Sequence, residues 1–233
     1  MKLWVNLNTY NEKENIEPMA QAILSQPLSG LTLAIIDDNS PDGTGHLADK
    51  LALKDSRVVV IHRAKKEGIG PAYRQGLARG LAEGNDYFIQ IDCDFSHDPN
   101  DLSRMVALLQ ESADLVIGSR YIAGGRVRGV PAYRQWISHL GNWYIEQKLH
   151  LPIADVTAGF VGFRRPALEC LDIDTIGSQG YAWQIETKVR AVRLGLRIKE
   201  LPIVFRERRA DKSKFTWSIA SECLRVVDNL ARG

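Results

Sequence analysis

The feature that most restricts this chain is a rhythm of short apolar runs alternating with longer stretches of helical spacing. The apolar runs occupy residues 3–7, 31–36, 58–61, 87–91, 115–117, 161–163 and 198–201. Helix patterns fill the intervals 14–24, 45–53, 72–81 and 102–109. Continuously apolar strands separated by helices indicate βαβ units, whose parallel sheet is covered by helices on both faces. The expected fold class is therefore α/β, with a mostly parallel central sheet flanked by helices. No linker, repeat or low-complexity tract divides the 233 residues, so residues 1–233 read as a single domain. Past residue 120 the rhythm changes. Gly124, Gly125 and Gly129 surround Arg126 and Arg128 in a basic loop, and helices are predicted over 131–149 and 218–230. The first of these opens on Pro131, where the missing N–H costs nothing. Residues 1–120 thus read as the nucleotide-binding half and 121–233 as the half facing a second substrate.

Charge and composition narrow the function classes. Lys and Arg total 30 against 28 Asp and Glu, a net charge of +2, which argues against a general nucleic-acid binder. Cys93, Cys170 and Cys223 are far apart without a CxxC, so neither a disulfide framework nor a structural zinc site is supported. His46, His62, His97, His139 and His150 share no metal spacing. The first residues turn polar too early for a signal peptide, and no apolar run approaches the roughly 18–20 residues of a membrane span. A cytoplasmic protein is expected.

The chemistry concentrates in loops that would follow strands, where ligands bind an open parallel sheet. These loops are Asn8-Thr9-Tyr10-Asn11-Glu12, the run Asp37 to Thr44, the run Asp92 to Pro99, and Gly118-Ser119-Arg120-Tyr121. Asp92 and Asp94 are the sharpest pair. Two carboxylates so close would repel unless a hard divalent cation sits beside them, and such an ion also bridges a nucleotide diphosphate. The plainer reading is that the acids of this loop make turns and cap the next helix. Asp38 is favoured as a contact to a nucleobase or ribose, with Asp37 holding the turn. Gly68-Ile69-Gly70 follows the third strand and lacks a third glycine, so it reads as a helix entry rather than a dinucleotide fingerprint.

Taken together, these motifs resemble the family 2 inverting glycosyltransferases of GT-A (Rossmann-like) fold, and among them the dolichol-phosphate and polyprenol-phosphate mannose synthases. The resemblance runs from Thr9 to Lys214 and includes the segments 68–73, 178–186 and 208–214. It implies mannose transfer from GDP-mannose to a polyprenyl or dolichyl monophosphate, with Mg²⁺ or Mn²⁺ as cofactor. It places Asn8, Tyr10, Glu12, Ile36 and Asp38 around the guanine nucleotide. Asp92, Cys93 and Asp94 would line the diphosphate, with Asp92 and Asp94 on the metal and Asp94 its principal ligand. Arg120, Arg208 and Lys214 match basic residues around the phosphates, and Arg134 and Ser138 match residues that hold the lipid phosphate; Asp94, Arg120, Arg134 and Ser138 form the implied catalytic set. Asn8 stands where the family usually has Pro, Cys93 where it has Ala, and Ser96 where some members carry a metal-binding Gln. Another sugar nucleotide such as UDP-glucose, another acceptor, or a non-catalytic binding subunit are the alternatives.

A lipid phosphate is already anionic near neutral pH, so no general base is needed and the task is electrostatic. The predicted helix 131–149 carries Tyr133, Trp136, Ile137, Leu140, Trp143 and Tyr144 at helical spacing. This suits either a membrane interface or ordinary core packing. The first reading gives peripheral attachment at the cytoplasmic face of a membrane. Some relatives end in transmembrane helices, which this chain lacks, leaving a role for a membrane-anchoring subunit.

Overall fold

Leu3, Val5 and Leu7 of the first strand pack against one helical layer, while Trp4 packs against the other. Alternate side chains of a strand point to opposite faces, so a strand apolar at every position must be covered twice. The structure, a computed structural model, describes residues 1–207 and 217–232. Its main sheet contains β1 (Leu3–Thr9), β2 (Leu31–Asp37), β3 (Val58–His62), β4 (Tyr87–Asp92), β5 (Leu115–Ser119), β7 (Val161–Arg164) and β8 (Ile198–Pro202). Their order is β3-β2-β1-β4-β7-β5-β8, and β6 (Arg126–Arg128) pairs with β9 (Val204–Arg206) in a separate ribbon. Every predicted strand falls inside one of the seven.

Helices α1 (Ile16–Leu24), α2 (Thr44–Lys54) and α4 (Asp101–Glu111) cover one face. The other is covered by α3 (Ile69–Ala82), α6 (Arg165–Cys170) and α7 (Ala182–Arg193), with Ile145 of α5 (Ala132–Leu149) and Val227 of α8 (Trp217–Arg232). Helix α3 lies unusually close to β1: a Cβ at Gly76 would fall 1.8 Å from Asn6 Oδ1, and one at Gly80 2.7 Å from the Trp4 ring. Glycine at these two positions is what lets helix and strand approach.

The second half of the chain is no appendage. β7 inserts between β4 and β5 and runs antiparallel to both, and β8 completes the edge beside β5. Because β7 is reversed, the loop before it, not the loop after it, lies at the carboxyl ends of β4 and β5. That loop brings Asp155, Thr157 and Gly159 to the ligand edge.

Candidate active site

The strand order reverses direction around β1, which has β2 on one side and β4 on the other. Connections leaving these strands diverge to opposite faces and open a crevice between them. A cleft of about 380 Å³ lies there, lined by Asn8, Tyr10, Glu12, Asp38, Asp92, Cys93 and Asp94 among others. Seven predicted donor residues are thus brought together. Backbone geometry shapes its rim: Asn11, Asn39 and Phe95 all adopt left-handed φ near 60°. Asparagine tolerates this; a phenylalanine there costs on the order of 1 kcal/mol and bends the acidic loop back on itself.

Asp37 does hold its turn, accepting hydrogen bonds from the Ser40 hydroxyl at 2.6 Å and the Ser40 N–H at 3.2 Å. Asp38 finds a protein donor that the sequence did not reveal. Arg63, itself buried, bonds Asp38 Oδ1 and also reaches Glu67 and Gln75. Burial raises the Asp38 pKa, and the Arg63 and Lys66 charges oppose that rise without cancelling it. Lys66, also unanticipated, lines the cleft with its ammonium 3.6 Å from the Tyr10 ring centroid. Tyr73 donates to Asp92 Oδ1 at 3.0 Å, and His97 Nε2 lies 3.5 Å from Asp92 Oδ2. Asp94, almost fully buried, accepts the Ser96 N–H at 3.0 Å. Burial pushes the Cys93 thiol well up, with Glu12 and the two aspartates adding to the rise, so it is no thiolate nucleophile.

A smaller pocket of about 110 Å³ adjoins the cleft and shares Ile69, Asp92 and Tyr181 with it. Arg120 lines this inner pocket and is pinned from behind. Its backbone N–H, Nε and one Nη donate to Asp155 at 2.9, 2.8 and 2.7 Å, and the same Nη reaches Thr157 Oγ1 at 2.9 Å. Burial disfavours the Asp155 carboxylate, but the Arg120 charge and hydrogen bonds outweigh it and hold its pKa below the usual value. Behind the pair lies Lys188, fully buried, donating to the Ala158 and Gln184 carbonyls at 2.8 and 3.2 Å. Desolvation lowers its pKa to about 7, against the pull of Asp155 and Glu200 and with Arg120 adding to the fall.

A lysine whose folded pKa lies below its unfolded value binds fewer protons when folded between the two values. Stability from this group therefore rises with pH from about 7 towards the ordinary lysine range. Urea unfolding of the parent and of Lys188→Met should show it. The parent's stability should climb relative to the variant's between pH 7 and 10, and parallel curves would count against the assignment.

Not every predicted residue reaches these pockets. Ile36 is fully buried in the core beneath the cleft and lines neither, because the alternation of β2 turns its side chain towards α3. Ser138, on α5, accepts a 2.7 Å hydrogen bond from Tyr121, whose ring lies 4.9 Å from the Arg120 guanidinium. Arg134 stands further out, bonded to Tyr133 at 3.2 Å and 3.9 Å from Glu207. Arg208 and Lys214 lie outside the described residues.

The aromatic stripe of α5 is not core. Tyr133, Trp136, Ile137, Leu140 and Trp143 are 61, 74, 56, 61 and 54% exposed, and only Asn142 and Ile145 of the helix are buried. Core packing, one of the two readings of this segment, is ruled out by that exposure. Among the described residues no helix is long and apolar enough to cross a membrane.

Comparison with known proteins agrees with the geometry. The model of the family "Glycosyl transferase family 2" matches residues 5–172. The chain is 41% identical over 221 residues to the polyprenol monophosphomannose synthase of Mycolicibacterium smegmatis, covering 94% of this chain and 83% of that one. It is 39% identical over 224 residues to the undecaprenyl-phosphate mannosyltransferase of Micrococcus luteus, covering 96% and 91%. Among solved structures, glucosyl-3-phosphoglycerate synthase from Mycobacterium tuberculosis, in complex with Mn²⁺, UDP and glucosyl-3-phosphoglycerate, superposes with a TM-score of 0.74 at 20% identity, over 99% of this chain and 80% of that one. That likeness shows the shared GT-A fold. By its family match and by relatives of nearly full coverage, the chain belongs to glycosyl transferase family 2 and is a glycosyltransferase.

Proposed function

We propose that the protein transfers mannose from GDP-mannose to a polyprenyl monophosphate, with inversion, at the cytoplasmic surface of a membrane. The observation that carries this reading is the chain of contacts from the acid-lined cleft, through Arg120, Tyr121 and Ser138, to the exposed aromatic face of α5. The names of the two mannosyltransferase relatives support the donor sugar and the lipid acceptor. Residues 1–120 would bind the sugar nucleotide and 121–233 the acceptor.

The cleft is lined by the carboxylates of Glu12, Asp92 and Asp94 and by the Lys66 ammonium, while its fourth carboxylate, Asp38, is paired with Arg63. A diphosphate entering such a site is repelled unless a cation comes with it. Asp92 and Asp94 offer hard oxygen donors, and no group of three His, Cys, Asp or Glu able to hold a metal exists among the described residues. Such a donor set suits Mg²⁺ or Mn²⁺ completed by diphosphate oxygens and water rather than a closed protein cage. Asp92 and Asp94 would hold the ion, which when bound screens the diphosphate as it leaves.

The chain's own residues do the rest. Tyr73 fixes the orientation of Asp92. Asp155 takes Nε and one Nη of Arg120, while Nη1 has no hydrogen bond among the described residues and is left for an acceptor-phosphate oxygen. The acceptor phosphate attacks the anomeric carbon directly, so an α-linked donor yields a β-linked mannosyl phosphate. Arg208 and Lys214 would add positive charge around the same phosphates.

A lipid acceptor requires contact with a bilayer, and the exposed rings of α5 suit its headgroup layer. Co-sedimentation with anionic liposomes should fall by about tenfold in Trp136→Ala plus Trp143→Ala. Unchanged binding would reject α5 as the docking face. Transfer of label from GDP-mannose to an organic-extractable polyprenyl phosphate tests the activity itself; nucleotide binding without such transfer would reject it.

A further inference from the structure

Three side chains lining the inner pocket each carry a buried polar atom with no hydrogen-bond partner among the described residues: Ser96 Oγ, His97 Nδ1 and Gln184 Nε2. Buried polar atoms are almost always satisfied, so three orphans around one pocket point to a ligand that completes them. All three residues are at least nine-tenths buried, and none belongs to the residues already given a role. Their chemistry is mixed. Ser96 can donate or accept. His97 Nε2 faces Asp92, and in the neutral imidazole a proton held on that side leaves Nδ1 as an acceptor. Gln184 Nε2 is a donor. Such a set fits neutral hydroxyls better than a phosphate, which would want donors alone.

The Gln184 amide is not free to turn. Lys188 Nζ donates to its Oε1 at 3.4 Å and to its own backbone carbonyl at 3.2 Å, while anchoring to Ala158 O at 2.8 Å. With Lys188 Nζ as the donor in this contact, the amide stands with its oxygen towards Lys188 and the NH₂ group away from it. Opposite lies Gly159, where a Cβ would sit 3.3 Å from Asp92 Oδ2 and 3.9 Å from both Gln184 Nε2 and His97 Nε2. The missing side chain keeps open the space between these groups.

We propose that Gln184 determines sugar specificity by donating a hydrogen bond to one hydroxyl of the transferred hexose, and that Lys188 is the positioning residue that aims its amide. This rests on the reading of the protein as a mannosyltransferase. It explains why a helix whose other side chains are apolar or structural carries two buried polar residues one turn apart.

The test is a set of double-mutant cycles between protein and donor. The parent, Gln184→Met and Lys188→Met are each assayed with Mg²⁺ for binding of GDP and of GDP-mannose, and for kcat/KM with GDP-mannose and its 2-, 3-, 4- and 6-deoxy analogues. In the parent, removal of one particular hydroxyl should lower kcat/KM by about tenfold or more. In Gln184→Met that penalty should vanish while penalties at the other positions persist and GDP affinity stays within about twofold. Lys188→Met should show the same selective loss, which a merely structural role would not produce. Circular dichroism establishes that both variants are folded, and Gln184→Glu, which keeps the size but replaces donor by acceptor, serves as a second probe and should also lose the selective penalty. Unaltered deoxy penalties in the Gln184 variants, or equal losses for GDP and GDP-mannose, would overturn the proposal alone. A parent that binds GDP-mannose no better than GDP and transfers no mannose would overturn the donor assignment as well.

Discussion

Asp94→Asn is expected to lower mannosyl transfer by about 10³-fold or more and to abolish the metal dependence of GDP binding. The substitution is nearly isosteric, and the amide oxygen can still accept the Ser96 N–H, so the loop keeps its shape. What changes is charge. A diphosphate set against the carboxylates of Asp92 and Asp94 meets charge of its own sign. At about 4 Å and an effective dielectric of 20, each such pair is unfavourable by roughly 4 kcal/mol. A divalent ion reverses that balance only while carboxylates hold it. Tyr73→Phe makes the useful comparison, since it removes a 3.0 Å hydrogen bond to Asp92 without touching a ligand. A partner that orients a ligand is worth about 10- to 100-fold, so this variant should fall between the parent and Asp94→Asn. Isothermal titration of GDP with and without Mn²⁺, alongside the radiolabel transfer assay, measures both effects. Near-normal turnover in Asp94→Asn would remove the metal from the mechanism.

The sheet and the donor cleft were legible because they are written in local patterns. Ile, Val and Leu at every position mark strands covered on both faces, and acids placed directly after such strands fall at the carboxyl edge whatever the later topology. This is why Asp38, Asp92 and Asp94 could be singled out from pattern, while the family resemblance added Asn8, Tyr10, Glu12 and Cys93; all seven are found around one cleft. What the sequence hid is long-range. Nothing in residues 161–163 says that β7 runs antiparallel between β4 and β5, yet that reversal delivers Asp155, Thr157 and Gly159 to the site. Nothing in the sequence marks Arg63 as the partner of Asp38, 25 residues away, against which the fold places it. Helix α7 escaped notice because it lacks a polar face: Gln184, Glu186, Thr187 and Lys188 are buried along with Trp183, Ile185 and Val189. A helix buried nearly all round has no amphipathic period to read. The Ile36 side chain lines neither pocket for the converse reason, since an apolar residue at a strand end gives no sign of which face it serves.

Asp155→Ala is expected to be the most damaging single change outside Asp92 and Asp94, and its rescue separates folding from chemistry. Asp155 is fully buried and accepts three hydrogen bonds from Arg120, with the Lys188 charge close behind. Removing it leaves the buried Arg120 guanidinium without its partner, a loss of about 3–5 kcal/mol. For a chain of this size that lowers the melting temperature by roughly 10 °C. Replacing both partners by apolar residues of similar volume, Arg120→Met with Asp155→Leu, removes the desolvation penalty along with the attraction, and such exchanges are often neutral in stability. The double variant should therefore melt within a few degrees of the parent (about 1–2 kcal/mol) while transferring mannose at least about 10³-fold more slowly, because no guanidinium is left to meet the acceptor phosphate. Arg120→Lys supplies the third point: it keeps a positive charge but loses the fork that Asp155 holds, so turnover should fall while GDP binding, which depends on the outer cleft, stays near the parent's. Differential scanning calorimetry gives the stabilities and single-turnover transfer the rates. A stable double variant that still transfers would make the pair a strut of the fold alone. A stable one that binds GDP-mannose and does not transfer assigns to Arg120 the work of bringing one anion up to another.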